Sequence, residues 1–365
     1  GEPVQDDWDA RTVSPIFARV QEASFRLFGP GFAQVRLIGV FSSLLLALAA
    51  FALFRTEFDS QSAFLLAILV SLNYPMMVLG RQGILDPFAA AVCLVALVLA
   101  MRDSTLSVFV SGALFVTACV TKYLMVYAIV PFVYVLWSSK RYWPFVAGVL
   151  ITALIWFVVN YLPHRELLSA YSSYYASQQS WDPAAVVKNI VTQPFFLYFV
   201  KTPAVLCVAN LGIWLFISGA MNRAPANVKA CFLWLVAGIL FFALWRYRPL
   251  RYYTSLIPPM AAMATFVLLR LNHLSIPLKS DKQRLLIYAG SLLPVFQACF
   301  LLVDRWANWG IVPVELGIHS LDAILFILLT AIVLWSITSG GKRVRYAAWA
   351  FVAVFFLSDM RNYLG

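Results

Sequence analysis

Apolar windows long enough to cross a lipid bilayer recur along the whole chain, and little but a bundle of spanning helices satisfies that pattern. They run Val35–Phe54, Ala63–Leu79, Pro87–Met101, Leu106–Val120, Tyr123–Trp137, Pro144–Leu162, Pro203–Ala220, Ala230–Trp245, Thr254–Leu269, Leu285–Val303, Leu321–Thr338 and Ala347–Leu357. A spanning helix needs about 20 mostly apolar residues, so the pattern predicts about twelve spans, the shorter ones tilted or lengthened by flanking residues. The pattern is helical and lacks the alternation of an outer-membrane barrel. Pro131, Pro258 and Pro259 fall inside runs, where spanning helices tolerate proline because neighbouring groups re-satisfy the freed backbone. The predicted fold class is all-α, a polytopic integral membrane protein. Composition agrees, with 62% hydrophobic and 12% charged residues and a mean hydropathy of +0.83, against roughly 45–50% and 25% in soluble domains.

The net charge of +11 does not indicate nucleic acid, because the basic residues are scattered over the loops and form no single stripe. Membrane lipids, with their anionic head groups, are the expected partners. Cys93, Cys119, Cys207, Cys231 and Cys299 all lie inside apolar runs with no paired spacing, and read as small core residues. His164, His273 and His319 are isolated and make no zinc motif.

Lysine and arginine placement sets an orientation. Taking alternate connections together, the set around Arg55, Arg102, Lys140 and Arg141, Arg223 and Lys229, Arg270 to Arg284, and Lys342 to Arg345 holds about 13 basic residues in roughly 50 positions. The other set holds about 14 over more than twice the length. The denser set is predicted to be cytoplasmic. That puts residues 1–34, the Arg81–Asp86 turn, residues 163–201, Arg246–Tyr253 and residues 304–320 on the outer side of the cell membrane, so that all the long polar segments share one face. Irregular polar structure gathered on one face is where function is expected.

Two juxtamembrane amphipathic helices are expected on that face. Ser14–Gly29 has Ser14 as N-cap, Pro15 at the first helical position and Gly29 as the stop. Ile16, Phe17, Val20, Leu27 and Phe28 form its apolar side, and Arg19, Glu22 and Arg26 its polar side, as suits an interfacial helix. A second runs from Ala184 to Tyr198. Before it, Tyr171 to Trp181 has no clean period and reads as a mobile loop, in which Tyr174, Tyr175 and Trp181 offer the aromatic contact chemistry of a sugar-binding surface; an interfacial aromatic belt is the alternative.

The chemistry concentrates at three outer turns. Asp86, followed by Pro87, stands at the start of a helix, where the positive end of the dipole favours its ionised form; it serves a polar site there or caps the helix. Arg81, five residues earlier, pairs with Asp86 or binds an anion. Lys122 interrupts two apolar runs, and either snorkels to the interface or faces a cleft. Arg246, Arg248 and Arg251 with Tyr247, Tyr252 and Tyr253 form the densest basic and aromatic cluster on the outer face. Arginine forks bind phosphate oxygens in pairs, and the alternative is a belt of head-group contacts.

In order, Ser14-Pro15, Phe28-Gly29 with Arg36, Arg81 with Leu85-Asp86-Pro87, Thr121-Lys122, the aromatic Pro194–Tyr198, and Arg248 to Arg251-Tyr252 followed by Pro258-Pro259 resemble the motif order of the GT-C superfamily of glycosyltransferases. The similarity is to the branch that uses polyprenyl-phosphate sugars and includes the protein O-mannosyltransferases and the lipid A aminoarabinose transferases. It covers nearly the whole chain as one transmembrane domain, 1–365. The resemblance implies an inverting transfer, assisted by a divalent metal, of a sugar from a polyprenyl-phosphate donor to a protein or lipid-glycan acceptor at the outer face. It implies a supporting role for Asp86 in the active site, donor-phosphate contacts for Arg248, Arg251, Lys122, Arg81 and Tyr252, and an acceptor or sugar loop containing Asp7, Tyr174, Tyr175 and Trp181. The family's principal acidic pair is expected upstream of Gly1. Asp6, Asp7 and Asp9 look like the later part of the same loop, so the chain as written is expected to be inactive alone.

Two other readings stand beside this one. A secondary transporter would use Asp86 and Lys122 as coupling charges, but no convincing internal repeat is visible and these charges lie at turns and not in mid-span. A non-catalytic scaffold or export subunit would keep the fold without the chemistry.

Overall fold

The computed structural model describes residues 10–179, 181–191, 202–219, 222–245, 250–272, 280–307, 320–339 and 344–360. Its α-helices are α1 (Ala10–Val13), α2 (Pro15–Phe28), α3 (Phe32–Arg55), α4 (Ser60–Ser71), α5 (Tyr74–Leu79), α6 (Leu85–Ala100), α7 (Thr105–Thr121), α8 (Ile129–Ser139), α9 (Tyr142–Trp156), α10 (Arg165–Ser177), α11 (Pro183–Val191), α12 (Pro203–Ile217), α13 (Ala226–Ala243), α14 (Ile257–Asn272), α15 (Asp281–Ala307), α16 (Ser320–Ser339) and α17 (Val344–Val354). Among the described residues no strand forms, and a single antiparallel bridge joins Gln179 to Trp245. The all-α polytopic expectation therefore holds. Among the described residues five helical segments are long and apolar enough to cross a membrane, with six shorter apolar helices beside them.

Several predicted runs are not single helices. Ala63–Leu79 breaks at Asn73, which is extended (φ −66°, ψ 127°) between α4 and α5, because Pro75 opens α5 and lacks the N–H that a continuous helix would need. Tyr123–Trp137 begins as a 3₁₀ turn, Tyr123–Ala128, before α8. Thr254–Leu269 is likewise preceded by a 3₁₀ turn at Leu250–Leu256. Two helices end in π-turns, α9 through Phe157–Tyr161 and α17 through Phe355–Met360.

The bundle closes by close backbone approach. A Cβ on Gly112 of α7 would run into the Phe145 carbonyl, and one on Gly148 of α9 into the Phe109 carbonyl, so small residues set the α7–α9 distance, as is usual where lipid provides no hydrophobic drive between helices. A second approach holds the outer turn: a Cβ on Gly39 of α3 would strike the Gly80 carbonyl, and Gly83, at φ +65°, lies against Val35. Polar side chains tie helices across the core, Ser111 Oγ donating to the Ala96 carbonyl at 2.7 Å and Asn227 Nδ2 to the Leu53 carbonyl at 2.9 Å. In membranes such bonds contribute about 0.6 and at most about 2 kcal/mol each.

The juxtamembrane helix forms as α2, with Gly29 beyond its end at φ 80°. Glu22 bridges Arg19 at 2.8 Å and Arg26 at 2.6 Å along its polar side, while Phe17 is buried and Leu27 and Phe28 stay exposed. Ser14 does not cap it. Its Oγ donates instead to the Thr121 carbonyl, at 2.9 Å, and so fastens α2 to the end of α7. The segment read as a mobile loop is helical over α10 up to Ser177: Leu168, Tyr171 and Tyr175, spaced three and four apart, turn one face inward. The second interfacial helix is present as α11, and its expected continuation to Tyr198 lies outside the described residues, as does Pro194–Tyr198 as a whole.

Candidate active site

Asp86 sits in the first turn of α6, one residue inside its start, with Ile84 extended at the N-cap position (φ −85°, ψ 157°). It is therefore not the cap. Pro87 costs nothing there, since the first turn has no use for its N–H. At the far end of α7 the chain leaves the helix at Lys122, which is extended (φ −141°, ψ 98°). That step turns its side chain inward, and Nζ lies 3.0 Å from Asp86 Oδ1. Both side chains are nearly buried, at 13% and 6% exposure, so each requires the other: removing one partner of a buried pair typically costs about 3–5 kcal/mol. The alternative in which Lys122 snorkels outward is thereby set aside.

The 3₁₀ turn before α14 supplies the third wall. Tyr252 is buried, and the Lys122 ammonium stands 4.3 Å from its ring centroid. The Arg251 guanidinium lies 5.9 Å from the same ring and is itself exposed. Ser255, one turn on, shares a 2.6 Å hydrogen bond with the Tyr127 hydroxyl. Asp86, Lys122, Leu124, Met125, Tyr252 and Ser255 enclose a space of about 10 Å³, room for about one water.

On its other side Lys122 borders a cavity of about 550 Å³, within the range of small-ligand sites. Its walls come from α1, the end of α7, the 3₁₀ turn at Tyr123, the π-turn of α9, the inner face of α10 and the end of α13. Aromatic rings dominate: Tyr123 packs on Tyr175 at 4.7 Å and on Trp245 at 5.9 Å, and Tyr171 on Tyr175 at 4.6 Å. Burial, with Tyr175 beside it, pushes the Tyr171 hydroxyl far above the usual tyrosine range, so it stays a neutral donor and does not serve as a base. Asn160 braces one wall by donating to the Thr12 carbonyl at 2.9 Å.

The structure thus brings together Asp86, Lys122, Tyr252 and, at the rim, Arg251, with Tyr175 lining the adjoining cavity. It does not bring in Tyr174 or Trp181, which are 48% and 73% exposed: Tyr174 faces away from the inner side of α10, and Trp181 lies beyond its end. Arg81 is exposed and donates from Nε to the Met77 carbonyl at 3.0 Å, so the partner of Asp86 is Lys122 and not Arg81. Arg248 and Asp7, with Asp6 and Asp9, lie outside the described residues. Sequence reasoning missed Tyr123, Trp156, Tyr161 and Trp245. Among the described residues no group of three or more His, Cys, Asp or Glu side chains could hold a metal ion, and Asp86 already holds Lys122, so the residues gathered here do not fit the expected divalent metal.

Residues 12–165 match the family model described as dolichyl-phosphate-mannose-protein mannosyltransferase. No curated protein matches the chain. Among solved structures, ArnT from Cupriavidus metallidurans bound to undecaprenyl phosphate superposes with a TM-score of 0.57 at 20% identity, over 96% of this chain and 65% of that one. ArnT in the apo state gives a TM-score of 0.56 at 18% identity, over 98% and 68%. The chain therefore spans about two thirds of the length of the ArnT chain, and at this identity the likeness is one of fold. The family model thus matches the motif resemblance over residues 12–165, and over nearly the whole chain the fold is like that of ArnT.

Proposed function

We propose that this chain forms the donor-phosphate site of a glycosyltransferase that moves a sugar from a polyprenyl-phosphate carrier to an acceptor hydroxyl at the outer face of the cell membrane. One observation carries the reading: Lys122 stands at the junction of a buried carboxylate and a ligand-sized cavity, touching both. The mannosyltransferase family match and the undecaprenyl phosphate bound to the ArnT relative support the class of donor. The outer location rests on the distribution of lysine and arginine among the loops.

In this reading the carrier phosphate enters the cavity and meets the Lys122 ammonium, with Arg251 at the rim. As the sugar–phosphate bond breaks, negative charge gathers on the leaving phosphate, and a cation already in place offsets it without reorganisation. Asp86 keeps the ammonium aimed, and Tyr252 beneath it adds a cation–π contact. The acceptor hydroxyl attacks opposite the phosphate, which inverts the anomeric centre. The group that takes its proton is not assigned among the described residues, because Asp86 is committed to Lys122.

The test is binding and transfer in nanodiscs with undecaprenyl-phosphate sugars. Lys122→Met is expected to lose about 10- to 100-fold in donor affinity, the worth of a charge-assisted phosphate contact. Unchanged affinity in a folded variant overturns the reading, and uptake into sealed vesicles without transfer replaces it with transport.

A further inference from the structure

Lys122 and Tyr252 are delivered by two different 3₁₀ turns, and a buried hydrogen bond joins those turns. Lys122 stands directly before the turn Tyr123–Ala128, its carbonyl accepting from the Met125 N–H at 2.8 Å, so the turn carries the lysine with it. Tyr252 belongs to the turn Leu250–Leu256. In this kind of turn residues three apart stand one above the other, which places Ser255 in line with Tyr252. The Ser255 hydroxyl donates to the Tyr252 carbonyl at 3.1 Å. With its one proton so used, it accepts from the Tyr127 hydroxyl at 2.6 Å, across 128 positions of sequence. Tyr127 and Ser255 are each only 5% exposed.

α13 holds the Tyr127 ring where this bond needs it. Phe241 and Phe242 lie 5.4 and 5.3 Å from that ring. Gly238, one turn before Phe242, leaves the space beside it free. A Cβ on Gly238 would stand 2.8 Å from Tyr127 Cε2 and 3.2 Å from Cζ, the carbon that bears the hydroxyl, and would run into the Leu256 side chain. Gly238 therefore lets both turns press against α13 at one point. Replacing both members of a buried hydroxyl pair with apolar groups of like shape changes stability little, so the contribution of the bond is placement. Two hydroxyls meet at one distance and angle, whereas apolar surfaces alone can slide.

Resting on the phosphate site proposed above, we infer that Tyr127 and Ser255 are positioning residues of that site, a clasp that fixes the Tyr252 ring beside the Lys122 ammonium. Neither lines the large cavity. They act through Tyr252, whose ring centroid is 4.3 Å from Lys122 Nζ. With Asp86 and this ring both fixed, the ammonium is held at the edge of the cavity that it lines. With the clasp open, the ring shifts, and the ammonium settles toward Asp86 and meets the phosphate less well.

The experiment measures the affinity of the protein in nanodiscs for undecaprenyl phosphate. Tyr127→Phe and Ser255→Ala are each expected to weaken binding roughly three- to tenfold. The two together are expected to lose no more than either alone, since the same bond is broken in all three. In a Tyr252→Leu background, Tyr127→Phe is expected to have no further effect, which separates placement of that ring from a general loosening of the bundle. Unchanged affinity in both single variants, additive losses in the double variant, or an undiminished loss in the Tyr252→Leu background each overturns the inference while leaving the phosphate site standing. Failure of the unsubstituted protein to bind the carrier overturns the phosphate site and this inference with it.

Discussion

The two sides of Lys122 are built on opposite principles. Toward Asp86 the site is charged and closed, set on α6, an alanine-rich helix whose residues from Ala89 to Ala100 are almost all buried. Toward Trp156 it is neutral, aromatic and open, set on α9, of whose span only 11% is buried and whose Leu150, Ile151, Leu154 and Ile155 are exposed. Its alanines let α6 be surrounded, and bulky residues leave the flank of α9 to lipid. A rigid electrostatic anchor next to a cavity on the lipid-facing flank suits a ligand with a fixed phosphate, a sugar and a long apolar tail.

The sharpest way to break this contrast is to neutralise one charge on the closed side. Lys122→Met alone leaves Asp86 buried without its partner and is expected to destabilise by about 3–5 kcal/mol, read as a lowered midpoint of thermal unfolding in detergent. The double variant Asp86→Asn with Lys122→Met is expected to recover most of that stability. A double variant no more stable than the single one would mean the pair does not carry the local fold. Next in size, Gly39→Val forces a side chain into the Gly80 carbonyl and is expected to cost about 1–3 kcal/mol, as overpacking does, and to weaken carrier binding by shifting the turn before Asp86. Leu154→Ala on the exposed flank of α9 is the counterpart, expected within about 0.5 kcal/mol of the parent.

On the open side, Asn160→Ala removes the bond from Asn160 to Thr12 and is expected to cost about 1 kcal/mol, with a modest loss of affinity for every carrier. The smallest effect lies at the opposite end of the bundle. The Ser62 backbone N–H holds the Asp59 carboxyl below its ordinary value at the start of α4. A carboxyl lowered in the folded state stabilises it above the unfolded value, near 3.9, and that contribution fades as pH falls through the folded value. Asp59→Asn is expected to flatten the acid limb of the stability profile slightly, and a steeper limb would contradict the assignment.

Much of this arrangement was visible in the sequence. The Leu85-Asp86-Pro87 and Thr121-Lys122 turns and the polarity of α2 are local patterns that survive, whereas the windows Ala63–Leu79 and Tyr123–Trp137 do not form single helices. The pairing of Asp86 with Lys122, 36 positions apart in sequence, depends on how α6 and α7 meet, so the sequence offered only nearby Arg81 as a partner for Asp86. Tyr171 to Trp181 read as a loop because its inward face is only Leu168, Tyr171 and Tyr175, interleaved with serines. Trp156 and Tyr161 carried no helical signal, since their common face exists only through the π-turn.

The central claim is that Lys122 holds a carrier phosphate, and the direct measurement is the affinity for undecaprenyl phosphate of the unsubstituted protein beside the Asp86→Asn, Lys122→Met double variant, both in nanodiscs. The account predicts binding by the first and a loss of about 10- to 100-fold in the second, with the fold retained. Equal affinity in the two would contradict it.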